Sequence, residues 1–309
     1  MSSFFISFSS SAAKYVNDGG TNHFLHSYGT ANLGRDINGS WYWNPGRNIR
    51  TPVAYYHLDK NLVDSQISAL KASGQTTYTV VIPDTNLYSC QSSACNNGFQ
   101  DGVWGELIDN AYNGNFSMRP QHRVNLKSII GKALDSGFKR VIVRFGRHNA
   151  PGDWVGWDET KYQQTWNFLV DARNAAREEV FIRNKSHLLS YPNNILLFDL
   201  SIEDGGSPDV GQKYPFMIRL WQDYSSAFGN DDTVGFSMAW ESGRFTKMLQ
   251  MLNSTGVPLP KMWAASIYTD PGTDLTNLYN EMGSLKNQPF FVLETWFNHS
   301  NTSAAIQQA

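Results

Sequence analysis

From residue 51 onward the chain alternates between short, unbroken apolar runs and longer stretches whose apolar residues recur every three or four positions. The unbroken runs, at 52–57, 78–83, 140–145, 195–203, 234–240, 263–268 and 290–294, read as strands buried on both faces. The stretches between them read as amphipathic helices. Val63, Ile67 and Leu70 share one face behind Asp59 as a cap, and Gly74 follows as a stop. Leu126, Ile130 and Leu134 repeat the pattern ahead of Gly137. Tyr162, Trp166 and Leu169, then Met217, Leu220 and Tyr224, then Phe245, Leu249 and Leu252, then Leu275, Leu278 and Met282 continue it. Strands that alternate with helices of this length imply βαβ units around a parallel sheet.

A closed barrel and a doubly wound sheet both satisfy that pattern, and the strand ends distinguish them. No Gly-x-Gly-x-x-Gly or Gly-x-x-x-x-Gly-Lys-Ser/Thr follows any strand, so nucleotide-binding chemistry has no support. Chemistry-bearing side chains gather instead at the C-terminal ends of most runs: His57 and Asp59, Asp84, Arg147 and His148, Glu203 and Asp204, Trp240 and Glu241, Tyr268 and Asp270, Glu294 and Trp296. A (β/α)8 TIM barrel concentrates function on that face. The expectation is therefore a single barrel domain over 1–309, with long loops at 10–50, 85–118 and 147–158. Seven strands follow residue 50, and Phe4-Phe5-Ile6-Ser7-Phe8 is the candidate for the eighth.

Composition narrows the function. Charged residues make up 17% of the chain and the net charge is −2, without any basic run, which argues against a nucleic-acid partner. No stretch approaches the ~18 apolar residues of a membrane span, and the first eight residues make a poor signal peptide. Aromatic residues reach 14%, and many of the 10 Trp fall in Gly- and Asn-rich segments rather than apolar runs. Trp41, Trp43, Trp104, Trp154, Trp157, Trp240 and Trp296 are candidates for flat faces on which sugar rings stack, whereas Trp166 and Trp221 sit on helix stripes and read as core. Cys90 and Cys95 read as a small loop disulfide, with two unpaired thiols as the alternative. The disulfide implies an oxidising location, extracellular, periplasmic or virion-associated, and the unpaired thiols leave a cytoplasmic one open. The oligomeric state is left open.

Glu203 and Glu294 are the principal candidates for chemistry. Each ends an apolar run, where an ionised carboxylate is costly unless a cleft or partner receives it. Two strands separate theirs, which places the pair across the mouth of an eight-stranded barrel, as acid/base work on a glycosidic bond requires. Asp199 has the strand parity of Glu203 and lies deeper; Arg144 is its candidate partner, or else a substrate contact. Glu241 reads as an alternative acid, a rim hydrogen-bonder to sugar hydroxyls, or a helix-start carboxylate. Asp204 precedes Gly205-Gly206 as turn chemistry. His57, Asp84, His148 and Asp270 admit a metal site at the mouth, but no metal-ligand spacing supports one, and His57, Asp84 and His148 read better as substrate contacts. No Gly-x-Ser-x-Gly nucleophile motif is present.

Glu203 and Glu294, at the ends of the fourth and seventh strands counted from Pro52, resemble the catalytic pair of the clan A retaining glycoside hydrolases, which are TIM barrels. The resemblance covers the pattern from about Thr51 to Trp296. It implies that Glu203 is the general acid/base and Glu294 the nucleophile. Tyr268, at the end of the sixth strand, matches a tyrosine that orients the clan's nucleophile. Ile202 stands where the clan usually has Asn, and Trp296 is the nearest match for its eighth-strand Trp. The resulting expectation is a cofactor-independent hydrolase acting on a poly- or oligosaccharide by double displacement, with loops suited to endo action. The alternatives are a carbohydrate-binding barrel or surface adhesin without turnover, and a metal-dependent hydrolase or deacetylase.

Overall fold

The computed structural model describes residues 25–26, 49–50, 52–57, 60–83, 118, 120–146, 158–209, 211–268 and 270–295. Within these, Leu25–His26 (β1) and Ile49–Arg50 (β2) form a small antiparallel pair. There follow helix Pro52–Tyr55 (α1), helix Lys60–Ala72 (α2), strand Thr77–Pro83 (β3), helix Pro120–Asp135 (α3) and strand Arg140–Gly146 (β4). Helix Glu159–Ile182 (α4), strand Leu196–Asp199 (β5) and helix Lys213–Phe228 (α5) come next. Strands Thr233–Gly235 (β6) and Met238–Ala239 (β7) lead to helix Arg244–Asn253 (α6), strand Trp263–Ile267 (β8), helix Pro271–Met282 (α7) and strand Phe290–Thr295 (β9).

The strands form two parallel sheets, β3-β4-β5-β6 and β7-β8-β9. The chain passes from one sheet to the other within 233–239. There Gly235 adopts a φ of +67°, and a Cβ at that position would lie 2.8 Å from Pro260 Cγ, so the run predicted as one strand breaks in two. From β2 onward helices separate successive strands except at the β6–β7 break, as the alternation predicts. The parallel α/β architecture is thus as expected.

The segment 52–57, expected as the first strand, is helical. Pro52 has the fixed φ that suits the first helical position, and Tyr56 N–H closes the turn on Pro52 O at 2.8 Å. Val53 and Tyr56, three residues apart, are both buried. That spacing is helical, and the apolar density of the run concealed it. Counted along the described strands, Glu203 and Glu294 therefore no longer end a fourth and a seventh strand from residue 52, although the same two runs still lie between theirs. The Phe4–Phe8 segment lies outside the described residues.

Alternation along the strands sorts the core into two faces. One side chain set, including Val141, Val143, Leu196, Phe198, Trp263 and Phe290, packs against the helices and their stripes, with Trp221 fully buried and Trp166 stacked on Phe228. The other face carries a smaller apolar cluster of Ile142, Leu197, Val234, Ala264, Phe291 and Leu293. Each fully buried apolar side chain of this kind contributes roughly 1.5–3 kcal/mol. This scaffold carries the polar residues one step further along the strands: Arg144 beyond Ile142, Asp199 beyond Leu197, and Ser266 and Tyr268 beyond Ala264. Among the described residues no helix is long and apolar enough to cross a membrane.

Candidate active site

Strand β5 ends at Asp199, and the chain turns through residues 201–207 instead of continuing extended to Glu203. Glu203 itself takes a left-handed φ of +64°, a conformation uncommon for a residue with a Cβ and held only by its surroundings. Three backbone ties supply them. Ile202 N–H donates to Phe145 O at 3.1 Å, Gly205 N–H donates to Ser237 O at 2.8 Å, and Glu203 N–H donates to the Ser237 hydroxyl at 3.0 Å. Downstream, the loop is pressed against the start of α6. Gly206, at φ +64°, leaves so little room that a Cβ would lie 1.8 Å from Arg244 O. Asp204 closes the turn: Ser201 Oγ donates to its carboxylate, and buried Lys213 Nζ pairs with it at 3.2 Å.

Glu294 reaches the same place from β9. The register with β8 slips between Ala265 and Ser266, so that Leu293 is the extra residue and Glu294 lies opposite Ser266. A bulge of this kind re-aims a side chain next to a functional site. The Tyr268 hydroxyl, just past the end of β8, hydrogen-bonds to both Glu203 Oε1 and Glu294 Oε2. The two carboxyl groups therefore converge on one oxygen.

A buried guanidinium underlies the pair. Arg144 is fully buried. Its Nε donates to Asp199 Oδ2 at 3.0 Å, its Nη1 lies 3.4 Å from Glu294 Oε1, and its Nη2 donates to Ser237 Oγ at 3.2 Å. Ser237 N–H donates to Asp199 Oδ1 at 2.9 Å. Desolvating an arginine costs several kcal/mol, which counter-charge and hydrogen-bond partners offset; Asp199 and Glu294 supply the charge, and with Ser237 they give Nε, Nη1 and Nη2 a partner each. Burial pushes the Asp199 carboxyl up, against the pull of Arg144 and Ser237.

Glu203 is displaced most clearly. Burial first, then the charge of Glu294, push its carboxyl up to about 7, while Ser266 and Arg144 work in the opposite direction. Ser266 Oγ is buried and close enough to favour the charged form, but in a geometry that completes no full hydrogen bond. Protonation solves a local problem. A tyrosine hydroxyl has one proton and donates to one acceptor at a time. With Glu203 neutral, its O–H donates to Tyr268 Oη, and Tyr268 donates onward to Glu294. In that protonation state the arrangement holds a proton on one carboxyl and a donor against the other.

The remaining candidates are dispersed. Trp240 is buried, its backbone N–H donating to Ser266 O at 2.8 Å. Glu241 is exposed and pairs with Arg244 Nη2 at 3.0 Å, on the first turn of the following helix. His57 is exposed, with its Nδ1 2.9 Å from Asn125 Nδ2 on α3 and its ring 6.3 Å from that of His122. Asp270 caps α7, accepting from the Thr273 hydroxyl at 2.9 Å and from Thr273 and Gly272 N–H, contacts that hold its carboxyl below the usual range. Asp84, His148, Trp154, Trp157, Trp296, Cys90 and Cys95 lie outside the described residues. Among the described residues no three His, Cys, Asp or Glu side chains are grouped to hold a metal ion. Sequence reasoning missed Ser237 and Ser266, each a lone hydroxyl inside an apolar run.

No protein-family model matches the chain, and no curated protein matches it. Solved structures do. A GH5-4 broad-specificity endoglucanase from Clostridium longisporum aligns over 78% of this chain and 68% of its own, at 16% identity and a TM-score of 0.45. An endo-β-mannanase/endo-β-glucanase from Prevotella bryantii aligns over 92% of this chain and 39% of its own, at 15% identity and a TM-score of 0.48. A β-mannanase from Streptomyces thermolilacinus aligns over 88% of this chain and 85% of its own, at 14% identity and a TM-score of 0.30.

Proposed function

We propose that the protein is a retaining glycoside hydrolase built on a (β/α)8 barrel, with Glu203 as general acid/base and Glu294 as nucleophile. The observation that carries this reading is the meeting of both carboxyl groups at the Tyr268 hydroxyl. A single hydroxyl oxygen in contact with both holds the two carboxyl groups close together. Retaining enzymes hold their carboxyl groups ~5–5.5 Å apart, whereas inverting enzymes leave ~6.5–9.5 Å for a water. The second support is the division of labour. A carboxyl raised to about 7 holds a proton near neutral pH, and the carboxylate that faces Arg144 is kept close to a fixed positive charge.

The steps balance as follows. Glu294 attacks the anomeric carbon as Glu203 transfers its proton to the departing glycosidic oxygen, which gives a glycosyl ester on Glu294 and a free alcohol. Glu203, now a carboxylate, takes a proton from water. That water attacks the anomeric carbon, the ester bond breaks, and Glu294 is released as a carboxylate. Tyr268 donates to Glu294 before and after, and Arg144 fixes its other oxygen. Asp84, His148, Trp154, Trp157 and Trp296 are proposed as sugar contacts, and Cys90 and Cys95 as a loop disulfide. Endo action on a polymer is the proposed mode.

The test is release of reducing ends from a panel that includes β-glucan, β-mannan, xylan and chitin oligosaccharides. Wild type is expected to act on at least one, and Glu203→Gln and Glu294→Gln each to lose at least ~10³-fold while still binding it. Binding by wild type without release, or full activity in either variant, overturns the reading.

A further inference from the structure

Ser237 occupies a position that the roles of the two glutamates do not explain. It is fully buried in the break between β6 and β7, and its polar atoms all point at the proposed catalytic groups or their supports. Its hydroxyl oxygen accepts from Glu203 N–H at 3.0 Å and from Arg144 Nη2 at 3.2 Å, which fills both lone pairs. Its own N–H donates to Asp199 Oδ1 at 2.9 Å. Its carbonyl accepts from Gly205 N–H at 2.8 Å.

We infer that Ser237 is a positioning residue that ties the backbone of Glu203 to the guanidinium gripping Glu294, and so fixes the spacing of the two carboxyl groups. The inference rests on the hydrolase reading for its consequence in turnover, but not for the linkage itself. Two observations lead to it. Glu203 holds a left-handed φ that needs external restraint, and Ser237 supplies two of the three hydrogen bonds, at Glu203 N–H and Gly205 N–H, that restrain this stretch. Arg144 is anchored at Asp199, Glu294 and Ser237, and the Ser237 hydroxyl that holds it also accepts from the Glu203 backbone. A serine that merely filled a strand break would satisfy itself locally. This one has one acceptor atom shared between the supports of both carboxyls.

Alanine at 237 leaves Glu203 N–H and Arg144 Nη2 without that acceptor, and both groups are expected to relax. Arg144 is a positive charge that pulls the Glu203 carboxyl down, so loosening its grip sends the carboxyl further up. The experiment compares wild type, Ser237→Ala, Ser237→Cys and Ser237→Thr, with folding checked by circular dichroism. Carboxyl titration is followed by NMR on protein carrying 13Cδ-labelled glutamate, with the Glu203 signal assigned through Glu203→Gln. Hydrolysis kinetics are measured on whichever substrate wild type cleaves. Ser237→Ala is expected to raise the Glu203 midpoint and to lower kcat about tenfold or more, with KM within about twofold. Ser237→Cys, nearly the same size with a weaker acceptor, should fall between. Ser237→Thr, which keeps the hydroxyl, should restore the titration toward wild type. A folded Ser237→Ala or Ser237→Cys protein with an unmoved Glu203 midpoint and unchanged kcat overturns the proposal. So does a kcat loss in both with the midpoint unmoved. If wild type cleaves nothing, the hydrolase reading fails, and the linkage still stands or falls on the titration alone.

Discussion

Arg144 Nη1 lies 3.4 Å from Glu294 Oε1, which joins a fully buried cation to a carboxylate that is 25% exposed. The contact connects the interior of the fold to the edge where Glu203 and Glu294 meet. Arg144 cannot be removed without stranding Asp199, which is fully buried beside it at 3.0 Å.

The first prediction follows from that burial. Arg144→Met should destabilise the fold by about 3–5 kcal/mol, because it leaves Asp199 as an uncompensated buried carboxylate. Adding Asp199→Asn to it should recover part of the loss, since the two sites share one interaction. Urea denaturation of the single and double variants checks this; simple additivity would contradict it.

The second concerns pH. The Glu203 carboxyl is pushed up to about 7 from an ordinary 4.5. The folded state therefore holds a proton that the unfolded chain releases, and stability falls as pH rises from about 4.5 to about 7. Glu203→Gln is neutral throughout and should be more stable than wild type at pH 8, by on the order of 2–3 kcal/mol, with little advantage at pH 4. Thermal melts across that range measure it. In wild type, kcat/KM should decline above about 7 as the acid loses its proton.

The third uses the charge of Glu294, the second-largest cause of the Glu203 shift. Glu294→Gln should bring the Glu203 titration down, and Ser266→Ala, which removes a group favouring the charged form, should send it up. The 13C signal of the Glu203 carboxyl reads both. An unmoved midpoint in Glu294→Gln would mean that the two groups do not face each other.

Tyr268→Phe is the fourth case. It deletes the oxygen on which both carboxyls converge and should cut kcat by about 10²-fold with little change in melting temperature. Steady-state kinetics beside a melt separates this from a packing defect.

Much of the fold was legible because strands buried on both faces and helices with one apolar stripe have different periods. The helix at 52–55 was not, since four apolar residues behind a proline look alike in either state and only the Val53–Tyr56 spacing marks it. The site divides similarly. Arg144, Asp199, Glu203, Tyr268 and Glu294 stand out because ionisable or phenolic groups at the ends of apolar runs need a reason to be there. Ser237 and Ser266 do not stand out, because a serine within a strand is inconspicuous until its neighbours are known. The left-handed turn at Glu203 was also hidden: residues 199–203 keep strand parity on paper, while Gly205 and Gly206 allow the chain to fold back onto α6.

The roles of Glu203 and Glu294 are tested most directly by azide rescue. In Glu294→Ala, azide should enter the vacated nucleophile position and give a glycosyl azide of inverted anomeric configuration. In Glu203→Ala, it should intercept the glycosyl ester and give the retained configuration, and 1H NMR of the products distinguishes the two. Rescue of each variant with those opposite outcomes is the predicted result; the same configuration from both, or the reverse assignment, would contradict it.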